Sequence, residues 1–243
     1  MKFKFELNSD TDLSKIVKYL STISRVIEQD YKEYIKAESP KIQKLEKLVE
    51  LTTYFQEMHD DIQKNIKPRI EKTFSVEIKN PNLVTIALYT PSTKNSFMEL
   101  DKYIRKRHPE VYDEEIFEFM IRFGDIAQGL ATLGDSALKL SLTHILWNEG
   151  IIEKGKITKA KERIEQNSNL SKYCDAIELY QHRIFIKSKF FDPKPSTIKH
   201  IKGTLIESLL GIYYLEKGFL GVRKLVKSLE DQQKKFDELT IQE

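Results

Sequence analysis

Two acidic residues stand out in the sequence because each lies inside a strongly apolar stretch. Asp135 occurs in LATLGDSALKL, and Glu207 occurs in GTLIESLLGIYYL. Removing a carboxylate from water costs several kcal/mol unless the group is paired, hydrogen-bonded or bound to a cation. Two such acids that meet in the folded chain can share one cation. Asp135 and Glu207 are therefore a candidate metal site.

Simpler partners are also available to both acids. Asp135 precedes Lys139 by four residues, which is the spacing of an ion pair within one helix. Glu207 follows Lys202 closely and could pair with it or face solvent. Spacing alone therefore leaves open both a metal site and a set of ordinary ion pairs.

The two acids lie in segments whose apolar residues recur at helical spacing. Steps of three and four residues mark a long helical region over residues 116–145 and a strongly apolar helix at about 197–216. Shorter helices are predicted at about 158–166 and 169–178. The site would thus be built where helices pack against each other.

The N-terminal part of the chain has its own pattern. Alternating apolar residues at Phe3, Phe5 and Leu7 predict a short strand, and two apolar stripes over residues 13–67 predict a long helical hairpin that ends before Pro68. The fold class expected for the whole chain is all-α. The expected domains are 1–78 for the strand and hairpin, 79–221 for the domain that bears the acids, and 222–243 for a C-terminal helical tail.

Composition narrows the possible functions. The 40 basic and 37 acidic residues leave a net charge of +3, so any nucleic-acid surface must be local. The single cysteine, Cys174, excludes an internal disulfide framework. A signal peptide and an apolar run of ~20 residues are both lacking, which favours a cytoplasmic protein without membrane contact. Neither a Walker-type loop nor GxGxxG occurs, so no nucleotide cofactor is expected.

Four segments, in the same order, resemble motifs of the ribonuclease III family. LATLGDSALKLSLTHILW is similar to its signature helix, and GTLIESLLGIYYLEKG is similar to the helix that closes its active site. NPNLVTIALYTPST looks like its opening helix, and KAKERIEQNSNLSKYCDAIEL looks like its Asn-containing helix pair, with Asn167 and Leu170 at matching places. The resemblance covers about residues 80–220, with the helical hairpin as an addition before it.

The resemblance implies an all-helical domain that hydrolyses RNA phosphodiesters with magnesium held by four carboxylates. Asp135 and Glu207 match two of them and are the expected catalytic residues and metal ligands. Ala131 and Thr204 stand where the family has the other two acids. We therefore expect a reduced site that holds a single Mg²⁺ (or Mn²⁺).

The resemblance also implies partners. The family acts as a homodimer on duplex RNA, and Thr132 replaces a phenylalanine that enters the partner subunit, so a dimer would need a different contact. A C-terminal double-stranded RNA-binding module is not expected after Gly221. The residues expected to face RNA are Lys154, Lys156, Lys159, Lys161 and Arg163.

A second basic run precedes the signature helix. It comprises Lys102, Arg105, Lys106, Arg107 and His108. Such a run can contact RNA phosphates or can form an ordinary solvated helix face. The sequence leaves both interpretations open.

Three functions remain open from the sequence. The first is a Mg²⁺-dependent endoribonuclease that processes structured or double-stranded RNA. The second is a catalytically impaired relative that binds RNA or belongs to a ribonucleoprotein. The third is a helical scaffold whose hairpin recruits another protein and whose acids are vestigial.

Overall fold

The computed structural model describes residues 13–36, 42–186 and 193–241, with side chains as far as residue 229. All regular elements in these ranges are helices, and one isolated parallel β-bridge there joins Tyr89 to Ile184. The all-α fold class is therefore confirmed. The strand predicted at Phe3–Leu7 lies outside the described residues. Among the described helices, none combines the length and the apolar character needed to cross a bilayer.

The helices are numbered in chain order. They are α1 (Leu13–Lys36), α2 (Ile42–Asp61), α3 (Lys67–Phe74), α4 (Pro81–Ala87), α5 (Lys94–Arg107), α6 (Glu114–Ile121), α7 (Phe123–Asn148), α8 (Lys154–Glu165), α9 (Asn167–Ala176) and α10 (Pro195–Ile241). The chain forms two compact units. Unit 1 contains Met1–Asp61 and Ser92–Arg122, and unit 2 contains Ile62–Pro91 and Phe123–Glu243. Compact units and functional domains need not coincide, so the domain boundaries expected at 78/79 and 221/222 stay predictions.

The predicted hairpin forms the centre of unit 1. Helices α1 and α2 pack along the apolar stripes that the sequence shows, and Ile23, Ile27 and Phe55 have no exposed surface. The Phe55 ring stacks on Phe97 of α5, with ring centroids 4.5 Å apart. Burial of these side chains is what stabilises helices whose outer faces are charged.

Two residues of the second basic run lie next to acids of unit 1. The buried Asp30 of α1 accepts a hydrogen bond from the Tyr103 hydroxyl, and its Oδ2 lies 2.9 Å from His108 Nε2. Arg105 Nη2 lies 3.3 Å from Asp101 Oδ1, one helical turn away. Two members of the run are therefore engaged by acids of their own unit.

Unit 2 opens with a helix that the sequence did not predict correctly. The hairpin was expected to end before Pro68, but α3 runs from Lys67 to Phe74 with Pro68 in its first turn. A π-helical turn, Ile62–Ile66, separates α3 from Asp61. The expectation was wrong because proline breaks a helix only in its interior, whereas the first turn needs no backbone N–H from it.

Helices α7 and α10 form the core of unit 2, with α4 packed on α7 and with α9 packed on α10. Helix α10 breaks at Gly218, whose φ of 66° and ψ of −170° are not helical. After the break the chain still packs on unit 2, since Val222 and Val226 are fully buried. The Tyr173 hydroxyl of α9 also donates to the Leu229 carbonyl at 2.7 Å.

Candidate functional site

The two acids are brought together by a close crossing of α7 and α10. A Cβ atom added to Gly134 would lie 1.8 Å from the Glu207 carbonyl oxygen, and one added to Gly211 would lie 2.1 Å from the Leu130 carbonyl oxygen. Only glycine allows two helix backbones to approach so closely. Asp135 follows Gly134 directly, so the crossing places its side chain on the same cavity as that of Glu207.

Asp135 and Glu207 line one cavity of about 720 Å³ in unit 2. Helix α7 contributes Asp135, and helix α10 contributes Glu207 together with Thr204 and His200. The end of α8 and the start of α9 contribute further polar side chains, among them Asn167. The cavity is polar and open to solvent, as a site for a charged substrate requires.

Asp135 has the intrahelical partner that its spacing suggested. Lys139 Nζ lies 2.7 Å from Asp135 Oδ2, and the two side chains are 48% and 32% exposed. Ion pairs with this much solvent contact contribute only about 0–1 kcal/mol. The pair is therefore weak enough for a divalent cation to displace the lysine.

Glu207 lacks such a partner. The suggested lysine, Lys202, instead lies 2.5 Å from Asp175 Oδ1. Within the part of the chain that the structure describes, no hydrogen bond or ion pair reaches the Glu207 carboxylate. Burial, and after it the charge of Asp135, raise the pKa of Glu207 to about 7, while Lys139 acts to lower it. A bound cation would relieve both of the effects that raise this pKa.

The cavity also contains the two replaced positions. Ala131, which is 5% exposed, and Thr204 both line it, each one helical turn from a surviving acid. Among the described residues, no group of three or more His, Cys, Asp or Glu side chains could hold a metal ion. Mg²⁺ is nevertheless commonly bound through one or two carboxylates, with waters and phosphate oxygens as its other ligands. The donors Asp135 and Glu207 fit that mode.

The five basic residues expected to face RNA all lie on α8, but on two faces of it. Lys156, Lys159 and Arg163 follow steps of three and four residues, so they share one exposed face. Lys154 and Lys161 lie on the other face, together with Glu165, which lines the cavity. Their role in RNA binding stays a prediction.

Two cavity residues were not singled out in the sequence. Glu165 lines the cavity, and its Oε2 is buried without a hydrogen bond, 3.9 Å from Lys161 Nζ. His200 lines it from α10. Neither lies in an apolar stretch, so neither contrasts with its neighbours as Asp135 and Glu207 do. The steps of four and three residues from His200 to Thr204 and on to Glu207 are the signal that could have found the histidine.

Comparison with known proteins finds a match to this part of unit 2. Residues 128–218 match the ribonuclease III domain. The match includes both acids and the crossing glycines, and it confirms the resemblance seen in the sequence. The chain is also 23% identical, over 188 residues, to the proteins named Ribonuclease 3 from two strains of Mycoplasmoides gallisepticum. The aligned part is 74% of this chain but 28% of those relatives, so the chain covers under a third of their length.

The raised pKa of Glu207 predicts a pH-dependent stability of the metal-free protein. Between its usual value of 4.5 and about 7, the folded state holds the proton that the unfolded state releases. Stability from this group is therefore present below about pH 4.5 and is lost as the pH rises through about 7. The other charged or titratable groups that line the cavity are Asp135, Lys139, Glu165 and His200.

Replacing Glu207 by Gln removes this dependence. We expect the free energy of unfolding of Glu207→Gln, relative to that of the unaltered protein, to be higher at about pH 8 than at about pH 5. The reason is that only the unaltered protein must bury a charge at the higher pH. Urea unfolding with EDTA at both pH values measures the difference. Glu162→Gln, at an exposed position on α8, is the control. A gap that is the same at both pH values would contradict the prediction.

Proposed function

We propose that this chain is a ribonuclease III-like protein that cleaves structured or double-stranded RNA by Mg²⁺-dependent hydrolysis at a reduced acidic site. One observation carries the proposal. Two carboxylates from crossing helices line a single cavity inside the segment that matches the ribonuclease III domain. The name that both relatives carry, Ribonuclease 3, supports RNA as the substrate.

The chemistry follows from the donors present. Asp135 and Glu207 would hold one cation, with water and an RNA phosphate oxygen as further ligands. The cation, when bound, polarises the phosphoryl group and lowers the pKa of its water. Glu207, which has no partner among the described residues, supplies a free carboxylate. Lys139 would move from Asp135 when the cation binds.

The wider RNA surface in this proposal is α8. The exposed face with Lys156, Lys159 and Arg163 would contact RNA phosphates outside the cavity. The homodimer implied by the resemblance is part of the same proposal, with Thr132 exposed on α7 where the family has its phenylalanine.

A second candidate function is RNA binding without cleavage. Ala131 and Thr204 stand where the family has two of its four carboxylate ligands. In addition, the Lys139 ammonium pairs with Asp135 in the structure. A protein of this kind would hold duplex RNA through phosphate contacts and would not hydrolyse it.

One experiment separates the two functions. The purified protein is incubated with an end-labelled RNA duplex in Mg²⁺, Mn²⁺ or EDTA, and duplex binding is followed in parallel by fluorescence anisotropy. Cuts that need the metal support the enzyme. Binding without cuts, weakening as salt rises, supports the second function. If the protein neither binds nor cleaves the duplex at low salt, both functions are excluded.

Restoring the missing acids tests the reduced site directly. Ala131→Glu and Thr204→Asp together place carboxylates one turn before Asp135 and before Glu207, on the wall of the same cavity. We expect Mn²⁺ to bind at least about tenfold more tightly, because affinity rises with the number of charged ligands. Isothermal titration calorimetry measures the gain. Glu added instead at Gly129, which has open space around it on the same helix, is the control. An equal gain in both variants would contradict the proposed position of the ion.

A further inference from the structure

His200 lies on the face of α10 that carries the site. Residues 200, 204 and 207 follow steps of four and three, and all three line the cavity. Seven residues of helix span about 10 Å along the axis. His200 is thus in the same cavity as Glu207 but too far along α10 to contact a phosphate held at the two acids.

The ring of His200 contacts the side-chain amide of Asn167. Asn167 Nδ2, at the start of α9, lies 3.3 Å from His200 Nδ1. The Asn167 side chain lies against the backbone of α10, since a Cβ atom on Gly203 would lie 1.9 Å from Asn167 Oδ1. Glycine at position 203 therefore makes room for the asparagine, and the asparagine orients the histidine.

This contact favours one tautomer of the neutral ring. An amide nitrogen only donates, so Nδ1 of the neutral ring accepts and Nε2 carries the hydrogen. In this tautomer the imidazole has no lone pair left for a metal ion. The Nε2–H group has no partner among the described residues, and the side chain is exposed. His200 is therefore suited to an anion and not to the cation.

We propose that His200 binds an RNA phosphate adjacent to the one at Asp135 and Glu207, by donating Nε2–H to a phosphate oxygen. The inference rests on the proposed function and adds a substrate-binding residue to it. Asn167 is a positioning residue in this arrangement, because it acts on RNA only through the orientation of the ring. A phosphate here would lie away from the negative charges of the two acids, which disfavour an anion unless a cation is present.

The test measures duplex binding in EDTA, so that no metal contributes. A hydrogen bond to a charged group predicts that His200→Ala weakens the affinity for a fluorescent RNA duplex about fivefold or more. Asn167→Ala is expected to weaken it by a smaller factor, since the ring remains but is no longer oriented. His182→Ala, a histidine of unit 2 outside the cavity, is the matched control and should leave the affinity unchanged.

Two further readouts exclude a merely structural effect. The ring ¹⁵N resonances of His200, assigned by comparison with His200→Ala, should shift when the duplex is added while those of His182 do not. Under cleavage conditions, His200→Ala should raise KM and leave kcat unchanged, as expected for loss of a binding contact. An affinity equal to that of the unaltered protein, or an unperturbed His200 ring, would overturn this inference alone. Absence of duplex binding by the unaltered protein would overturn the proposed function and this inference with it.

Discussion

Glu207→Gln is expected to lower metal-dependent cleavage of an RNA duplex by about a hundredfold or more. The substitution keeps the shape of the side chain but removes the one carboxylate of the cavity that has no partner within the described residues. Metal stabilisation of the transition state contributes several kcal/mol, and each ~1.4 kcal/mol is tenfold in rate. Single-turnover cleavage of a labelled duplex in Mn²⁺ measures the loss.

The same substitution should not harm the fold, and this separates catalysis from stability. Glutamine carries no charge to desolvate, so the metal-free variant is expected to be at least as stable as the unaltered protein at neutral pH. Glu162→Gln on the exposed face of α8 should cleave at the unaltered rate. Cleavage that Glu207→Gln leaves intact, or that proceeds equally in EDTA, would refute a metal site at Asp135 and Glu207.

The acid pair could be predicted from the sequence because each acid contrasts with its apolar neighbours. A carboxylate in an apolar helical stretch has to be explained, and both Asp135 and Glu207 lie in such stretches. What the sequence could not decide was the partner of each acid. The structure pairs Asp135 with Lys139 and leaves Glu207 without Lys202, which instead contacts Asp175. The contact of Lys202 with Asp175 depends on how α9 and α10 pack, and a pattern along one helix does not contain that information.

The remaining cavity residues had no such contrast. His200 and Glu165 lie in polar stretches, where another polar residue attracts no notice. The same limit applies to unit 1. The apolar stripe of α1 was predicted, but the buried Asp30 within α1 was not, because its partners Tyr103 and His108 lie more than 70 residues further along the chain. Long-range polar contacts of this kind follow from tertiary packing, so helical periodicity locates the core better than it locates the groups that the core encloses.

The crossing of α7 and α10 gives the second large effect. Gly134→Ala is expected to destabilise unit 2 by about 2 kcal/mol or more. Two terms oppose each other. Alanine favours an exposed helix interior over glycine by about 1 kcal/mol, whereas overpacking a tight contact costs about 1–3 kcal/mol and occasionally more. At Gly134 the new methyl group would lie 1.8 Å from a backbone carbonyl oxygen, and backbone cannot move aside as a flexible side chain can. The overpacking cost therefore lies at the upper end of its range and exceeds the gain in helix propensity.

A second glycine on the same helix isolates the crossing as the cause. Gly129 has no atom within 4 Å of the position that a Cβ atom would occupy, so Gly129→Ala should stabilise the protein by up to about 1 kcal/mol. Urea unfolding followed by circular dichroism compares the two variants, with the fluorescence of Trp147, on α7, as the probe of unit 2. Since separation of the helices also moves Asp135 away from Glu207, Gly134→Ala should lose Mn²⁺ affinity as well, while Gly129→Ala keeps it. Equal stability and equal metal affinity in both variants would mean that the close crossing does not build the site.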